Sequence, residues 1–149
     1  MPDDLLLNKG AIIRRCLARV REEYAGNPAH LDNLTRQDAM VLNVQRACEA
    51  AIDLAMHVVA RRQVGVPQTS REAFMLLEQA GLLTPETARR LRAMVGFRNV
   101  AVHAYQELQL PVLRAVIEEH LGDFETFLAE VQEAESGDNN NEATERRQP

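Results

Sequence analysis

The sequence contains no tryptophan, and aromatic residues make up only 4% of its 149 residues. A hydrophobic core must therefore be built mainly from leucine, valine, alanine and methionine. The chain is 46% hydrophobic and 26% charged, which is typical of one globular domain. A chain of this length buries roughly 70% of its unfolded surface, so a core can form without disulfides or structural metals.

Cysteine is also scarce, and the two that occur, Cys16 and Cys48, form no CxxC pair. This spacing disfavours a zinc site and predicts reduced thiols in the core, with no metal and no cofactor. The opening residues, MPDDLLLNKG, carry acids where a secretory signal carries positive charge. Because charged residues also interrupt every apolar run, we expect a cytoplasmic protein that does not associate with membranes.

The net charge of −5 is unevenly distributed along the chain. Residues 1–117 carry 15 basic and 12 acidic side chains, a balance of +3, whereas residues 118–149 carry 2 basic and 10 acidic ones, a balance of −8. The acidity therefore belongs to the C-terminal end. The charge of the main body allows a polyanionic partner such as nucleic acid but does not require one.

Apolar residues recur at helical spacing almost throughout, and no strand pattern is evident. Capping and stop signals, such as Thr84-Pro85 at a helix start, divide the chain into helices. We expect an all-α, up-and-down bundle of four longer helices plus one short helix within residues 1–134, and a disordered acidic tail over residues 135–149. The predicted helices cover residues 4–24, 35–62, a short segment between Thr69 and Gly81, a segment from Pro85 into the 100s, and a segment from about Pro111.

Residues 97–105, FRNVAVHAY, combine apolar packing residues with the polar side chains of Arg98, Asn99, His103 and Tyr105. Histidine exchanges protons near neutral pH, and arginine offers a planar fork of donors that matches a phosphate. Asparagine can orient the imidazole or a substrate oxygen. Together these groups are the minimum needed to cleave RNA without a metal, with the 2′-hydroxyl as internal nucleophile. On a continuous helix, Arg98 and Tyr105 would share one face.

One histidine cannot easily act as both base and acid in the same step. A two-fold dimer would bring a second copy of the motif across the axis, so a homodimer is part of this hypothesis. We expect the broad apolar stripe of the second predicted helix to suit such an interface.

The arrangement Arg98-Asn99-x3-His103-x-Tyr105 resembles the RX4HXY signature of the HepT toxins, a branch of the HEPN superfamily of small helical ribonucleases. The resemblance extends from about Leu5 to Val131 and includes the break at Gly65-Val66-Pro67. It implies an all-α homodimer with a composite ribonuclease site in the dimer cleft, acting on tRNA or mRNA. It also implies a partner, an MntA-like nucleotidyltransferase antitoxin that transfers AMP from ATP to the motif tyrosine.

By this resemblance, Arg98 would stabilise phosphate, His103 would be the acid/base group, Asn99 would orient, and Tyr105 would accept AMP. The alternative function is a non-catalytic, nucleotide-binding or docking subunit for a minimal nucleotidyltransferase.

Several other polar residues keep two interpretations. Asp53 lies where the family usually has an acid and could support the motif, or it could simply pair with His57 along its helix. Arg89, Arg90 and Arg92 could extend an RNA-binding surface, or form an ordinary solvated face. We expect His120 to lack a side-chain partner, since the sequence shows none at a useful spacing.

Overall fold

The computed structural model describes residues 3–147, with side chains described for residues 3–137. The helices are α1 (Asp4–Tyr24), α2 (Leu34–Arg62), α3 (Ser70–Gln79), α4 (Pro85–His103), α5 (Leu110–Ala115) and α6 (Leu121–Arg147). Short 3-10 helices lie before α2 and after α4, and a π-helical turn at Val116–His120 joins α5 to α6 into one continuous rod. Within residues 3–147 the prediction of four longer helices and one short helix is therefore confirmed, with α3 as the short one.

Local capping explains where the helices begin. The Thr84 hydroxyl accepts the backbone N–H of Thr87 at 3.2 Å, with Pro85 in the first helical position. The Thr69 hydroxyl likewise accepts the N–H of Glu72 at 3.2 Å. These side chains satisfy backbone donors that the first turn leaves without partners, so both predicted helix starts are confirmed.

The long helices surround one apolar core. α1 packs against α2, α2 against α4, α4 against α6, and α6 returns to α1, while the short α3 lies against α2 and α4. Phe74 of α3 meets Phe127 of α6 edge to face, with ring centroids 5.6 Å apart and both side chains fully buried. The bundle holds the C-terminal end of α4 at one end of the core.

The apolar stripe of α2 is buried inside the chain itself. Met40, Val44, Leu54 and Val58 are each 2% exposed or less, because α1, α3 and α4 cover them. The expectation that this stripe serves a dimer interface is therefore wrong: a helix that is apolar on several sides is buried among several neighbours.

Both cysteines are free and buried, which confirms the prediction of core thiols without a disulfide. Burial raises the pKa of each thiol. None of the helices described over residues 3–147 has an apolar stretch of bilayer-crossing length.

The backbone of α6 continues past the expected domain boundary at residue 134, to Arg147. Glu135 is 5% exposed and forms ion pairs with Arg61 and Arg62 of α2. Because side chains are described only to residue 137, the assignment of residues 135–149 as a separate tail stays a prediction.

Gly65, in the connection between α2 and α3, has a φ of 146°, and an added Cβ would lie 2.9 Å from Leu76 Cδ1. We expect Gly65→Ala to lower the free energy of unfolding by about 1–3 kcal/mol because side chains strain this backbone conformation. Gly122, exposed on α6 with open space at its Cβ position, is the control. The free energy of unfolding of Gly122→Ala should rise by up to about 1 kcal/mol, because alanine has the higher helix propensity. Equal unfolding midpoints for both variants in denaturant would contradict this account.

Candidate functional site

Helix α4 is fixed to the bundle at its N-terminus. Glu130 of α6 accepts the backbone N–H of Thr84 at 2.7 Å and a hydrogen bond from the Thr87 hydroxyl. Leu91, Met94 and Val95 then pack into the core along the helix. The polar residues of the motif are therefore carried on a rigid support, at the C-terminal end of α4.

The helix ends at His103, inside the motif. Ala104 has φ −147° and ψ 48°, and Tyr105 opens a 3-10 helix over Tyr105–Glu107. The expectation that Arg98 and Tyr105 share one helix face is therefore wrong. Tertiary packing accounts for the break, because Leu108 and Leu110 pack against the core. Both residues precede Pro111, the first residue after the motif that would itself stop a helix.

The guanidinium of Arg98 is half-buried beside the start of α3. Its Nη2 donates to Ser70 Oγ at 3.3 Å. Its Nε is buried and has no hydrogen-bond partner among the residues described. A buried donor without a partner is costly, and a helix N-terminus favours anions, so this position suits a negatively charged ligand.

His103 and Asn99 have different surroundings. The imidazole of His103 is exposed, Asn99 is half-buried, and neither side chain makes a hydrogen bond within residues 3–137. Asn99 and His103 lie four residues apart on one side of α4, and no hydrogen bond joins their side chains. His103 is thus free to meet a substrate or a second chain, and the orienting role of Asn99 stays a prediction.

Tyr105 is tied to α2 by a residue that sequence reasoning missed. Its hydroxyl donates to Asp38 Oδ1 at 2.5 Å, and Tyr105 remains 38% exposed. Partial burial, together with this hydrogen bond and the carboxylate charge, raises the pKa of Tyr105 to about 12. The two residues are 67 positions apart, so no local pattern signals the pair.

A groove of about 860 Å³ runs along another side of α4, between it and the chain from Glu107 to Asp123. Phe97, Val100 and Val112 contribute apolar surface, whereas Arg98 and His103 are not among its lining residues. Its polar end contains Asp123, which accepts from Arg90 at 2.8 Å and pairs with His120 Nδ1 at 3.0 Å. The expectation that His120 lacks a partner is wrong, since Asp123 follows at the i+3 position on the same rod.

The three other arginines of α4 are ion-paired. Arg89 and Arg90 both contact Glu86 at 2.7 Å, and Arg92 contacts Glu78 at 3.3 Å. These pairs fit the interpretation of an ordinary solvated face, and a role in RNA binding stays a prediction.

Asp53 lies on the side of α2 that faces α1, where it pairs with Lys9 at 3.1 Å. His57 pairs instead with Asp3 at 2.8 Å, so the expected helix pair between Asp53 and His57 does not form. A supporting role for Asp53 stays a prediction. Among the described residues no group of three or more histidine, cysteine, aspartate or glutamate side chains could hold a metal ion.

Comparison with known families matches residues 13–131 to the family described as Ribonuclease HepT-like. The chain belongs to this family. The HepT-like chain is 44% identical over 126 residues to the mRNA nuclease HepT of Shewanella oneidensis, covering 85% of the present chain and 95% of that protein. A shorter match, 35% over 65 residues and 44% of each protein, relates it to the tRNA nuclease HepT of Aphanizomenon flos-aquae.

Solved structures confirm the HEPN fold of this HepT-like chain. The tri-AMPylated HEPN toxin of Shewanella oneidensis in complex with its MNT antitoxin is 43% identical, with a TM-score of 0.84 over 88% of this chain and 98% of that one. A toxin–antitoxin crystal structure with AMP-PNP is also 43% identical, with a TM-score of 0.83 over 87% and 98%.

The Asp38 contact predicts how Tyr105 of the HepT-like chain titrates. Asp38→Asn should bring the pKa of Tyr105 down from about 12, because the negative charge that opposes phenolate formation is removed. The chain has two tyrosines and no tryptophan, so Tyr24→Phe leaves Tyr105 as the one group reporting in tyrosinate ultraviolet absorbance. An unchanged titration curve for Asp38→Asn in that background would show that the contact is absent in solution.

Proposed function

We propose that this protein is the ribonuclease toxin of a toxin–antitoxin pair, cleaving RNA without a metal at a composite site built from Arg98 and His103 of two copies. The observation that carries the proposal is the half-buried guanidinium of Arg98, which lies close along α4 to the exposed imidazole of His103 and has a buried donor without a partner among the described residues. Membership of the Ribonuclease HepT-like family supports it.

The chemistry assigns one role to each group. The imidazole of His103 takes the proton from the RNA 2′-hydroxyl as that oxygen attacks the adjacent phosphorus, and a second imidazole protonates the leaving 5′-oxygen. Arg98 stabilises the negative charge that develops on the phosphorane oxygens. Asn99 orients the imidazole or the substrate.

The need for two imidazoles makes the protein a homodimer. Arg98 and His103, five residues apart, differ by about 140° around α4, so the two side chains of one copy do not share a helix face. A second copy across a two-fold axis supplies the opposing groups. Exposed apolar side chains beside the motif, with Val102 at 45% and Val112 at 47%, provide contact surface in place of the buried stripe of α2.

An MntA-like nucleotidyltransferase antitoxin neutralises this toxin in the cytoplasm by transferring AMP to Tyr105. The tri-AMPylated state of the Shewanella oneidensis toxin, in complex with its antitoxin, supports this regulation. The phosphate and nucleoside would stand two residues beyond His103. Their charge and bulk would exclude an RNA phosphate from the cleft.

Cleavage of mRNA and tRNA by purified variants tests the ribonuclease proposal. Arg98→Ala and His103→Ala should each reduce the initial rate on the order of a hundredfold or more, since one removes charge stabilisation and the other proton transfer. Arg21→Ala, which removes an exposed arginine of α1 that pairs with Glu125 of α6, should cleave like wild type. Comparable rates in all four proteins would remove the catalytic assignment.

Co-expression with the nucleotidyltransferase tests the regulation. Intact-mass and fragment spectra should show added AMP on Tyr105 of the wild-type chain, whereas Tyr105→Phe should stay unmodified and arrest growth despite the antitoxin. Tyr24→Phe is the matched control, because Tyr24 is buried and bonded to Glu118 at 2.9 Å, and it should be modified and neutralised normally. Neutralisation of Tyr105→Phe as efficient as wild type would exclude this mechanism.

A further inference from the structure

The contact between Tyr105 and Asp38 joins two segments that are distant in sequence. Asp38 lies in the first turns of α2, and Tyr105 lies just past the end of α4. The phenol hydroxyl and Asp38 Oδ1 are 2.5 Å apart, a distance typical of a hydroxyl that donates to a charged acceptor. Both side chains are exposed, so a second protein can reach the pair.

A tyrosine in this setting is a weak nucleophile by itself. The pKa of Tyr105 is raised to about 12, with Asp38 as the one charged group of the described structure that contributes to the shift. His103 and Glu107 flank it along its own segment. Very little phenolate therefore exists at neutral pH, and attack on a phosphorus requires that the proton leave as the new bond forms.

We infer that Asp38 is the general base for AMP transfer to Tyr105, so that the acceptor chain supplies a catalytic group for its own modification. The inference rests on the proposed function, in which a nucleotidyltransferase brings ATP to this tyrosine. The carboxylate already accepts a hydrogen bond from the phenol, at a distance that allows it to take the proton as a general base.

AMP transfer forms one phosphorus–oxygen bond and breaks another. The Tyr105 oxygen forms a bond to the α-phosphorus of ATP, and the bond from that phosphorus to the bridging oxygen of the β-phosphate breaks. Pyrophosphate departs with that electron pair, and the phenolic proton moves to Asp38 Oδ1. The product is AMP joined to Tyr105 through a phosphodiester, beside a neutral carboxyl group that then returns its proton to solvent.

The pair also gives the modification its selectivity. Tyr24 donates to Glu118 at 2.9 Å and so also has a carboxylate partner, but its side chain is only 7% exposed. Tyr105 combines a carboxylate partner with exposure. An attacking oxygen needs both a base and access to the nucleotide, and this combination distinguishes Tyr105 from the other tyrosine.

The test compares Asp38→Asn and Asp38→Ala with wild type, using the nucleotidyltransferase, ATP and a divalent cation, and following the first AMP addition by intact mass. Asn keeps an acceptor oxygen for the hydroxyl but cannot take its proton. At neutral pH both variants should lose on the order of a hundredfold in initial rate. Asp32→Asn, an exposed aspartate in the neighbouring 3-10 helix, should match wild type.

The pH profile separates a base from a positioning group. In Asp38→Asn the rate should rise about tenfold per pH unit between roughly pH 6 and 9, since phenolate must form first, whereas the wild-type rate should change little. Helical circular dichroism and thermal midpoints verify that each variant is folded.

Three outcomes are decisive. A slow Asp38→Ala beside a normal Asp38→Asn would mean that the residue only orients the hydroxyl, which overturns the inference. Parallel pH profiles for Asp38→Asn and wild type would overturn it as well. Failure of the wild-type chain to accept AMP on Tyr105 would overturn the proposed regulation itself and this step with it.

Discussion

The end of helix α4 at His103 is the constraint on which the geometry of this site depends. A continuous helix would carry Tyr105 around the axis of α4 and along the bundle. Because Ala104 leaves the helical conformation, the tyrosine instead reaches α2 and donates its hydroxyl to Asp38. Leu108 and Leu110, just after the break, pack against the core, so contacts with the bundle help to determine where the side chain of Tyr105 lies.

The same break separates two kinds of chemistry on neighbouring residues. Upstream, Arg98 is half-buried, and its Nε–H donor has no partner among the described residues. His103 is exposed, and the two side chains together suit an RNA phosphate. Downstream, the hydroxyl of Tyr105 donates to Asp38, an arrangement that the proposed transfer of an adenylyl group would use. In the proposed regulation, an adenylyl group on Tyr105, two residues beyond His103, would oppose binding of RNA through its charge and its bulk.

The features that the sequence predicts correctly are those that neighbouring residues determine. Thr69, Thr84 and Pro85 mark helix starts because capping depends on neighbouring backbone donors, and those starts are confirmed. The end of α4 carried no local stop signal before Pro111, so the break at Ala104 could not be predicted. Asp38 was missed for the same reason, since only the folded bundle brings α2 to Tyr105. The burial of the α2 stripe also depended on tertiary neighbours that periodicity alone does not identify.

In the proposed dimer, one active site needs the motif from both copies. RNA cleavage by mixtures of active and inactive chains tests this requirement. His103→Ala subunits would be co-assembled with wild-type subunits at known ratios, and RNA cleavage measured against the wild-type fraction. If each site requires two imidazoles, activity should fall as the square of that fraction, leaving about a quarter at equal amounts of the two chains. A linear decline, with about half the activity at the same ratio, would show that each copy cleaves independently and would contradict the composite site.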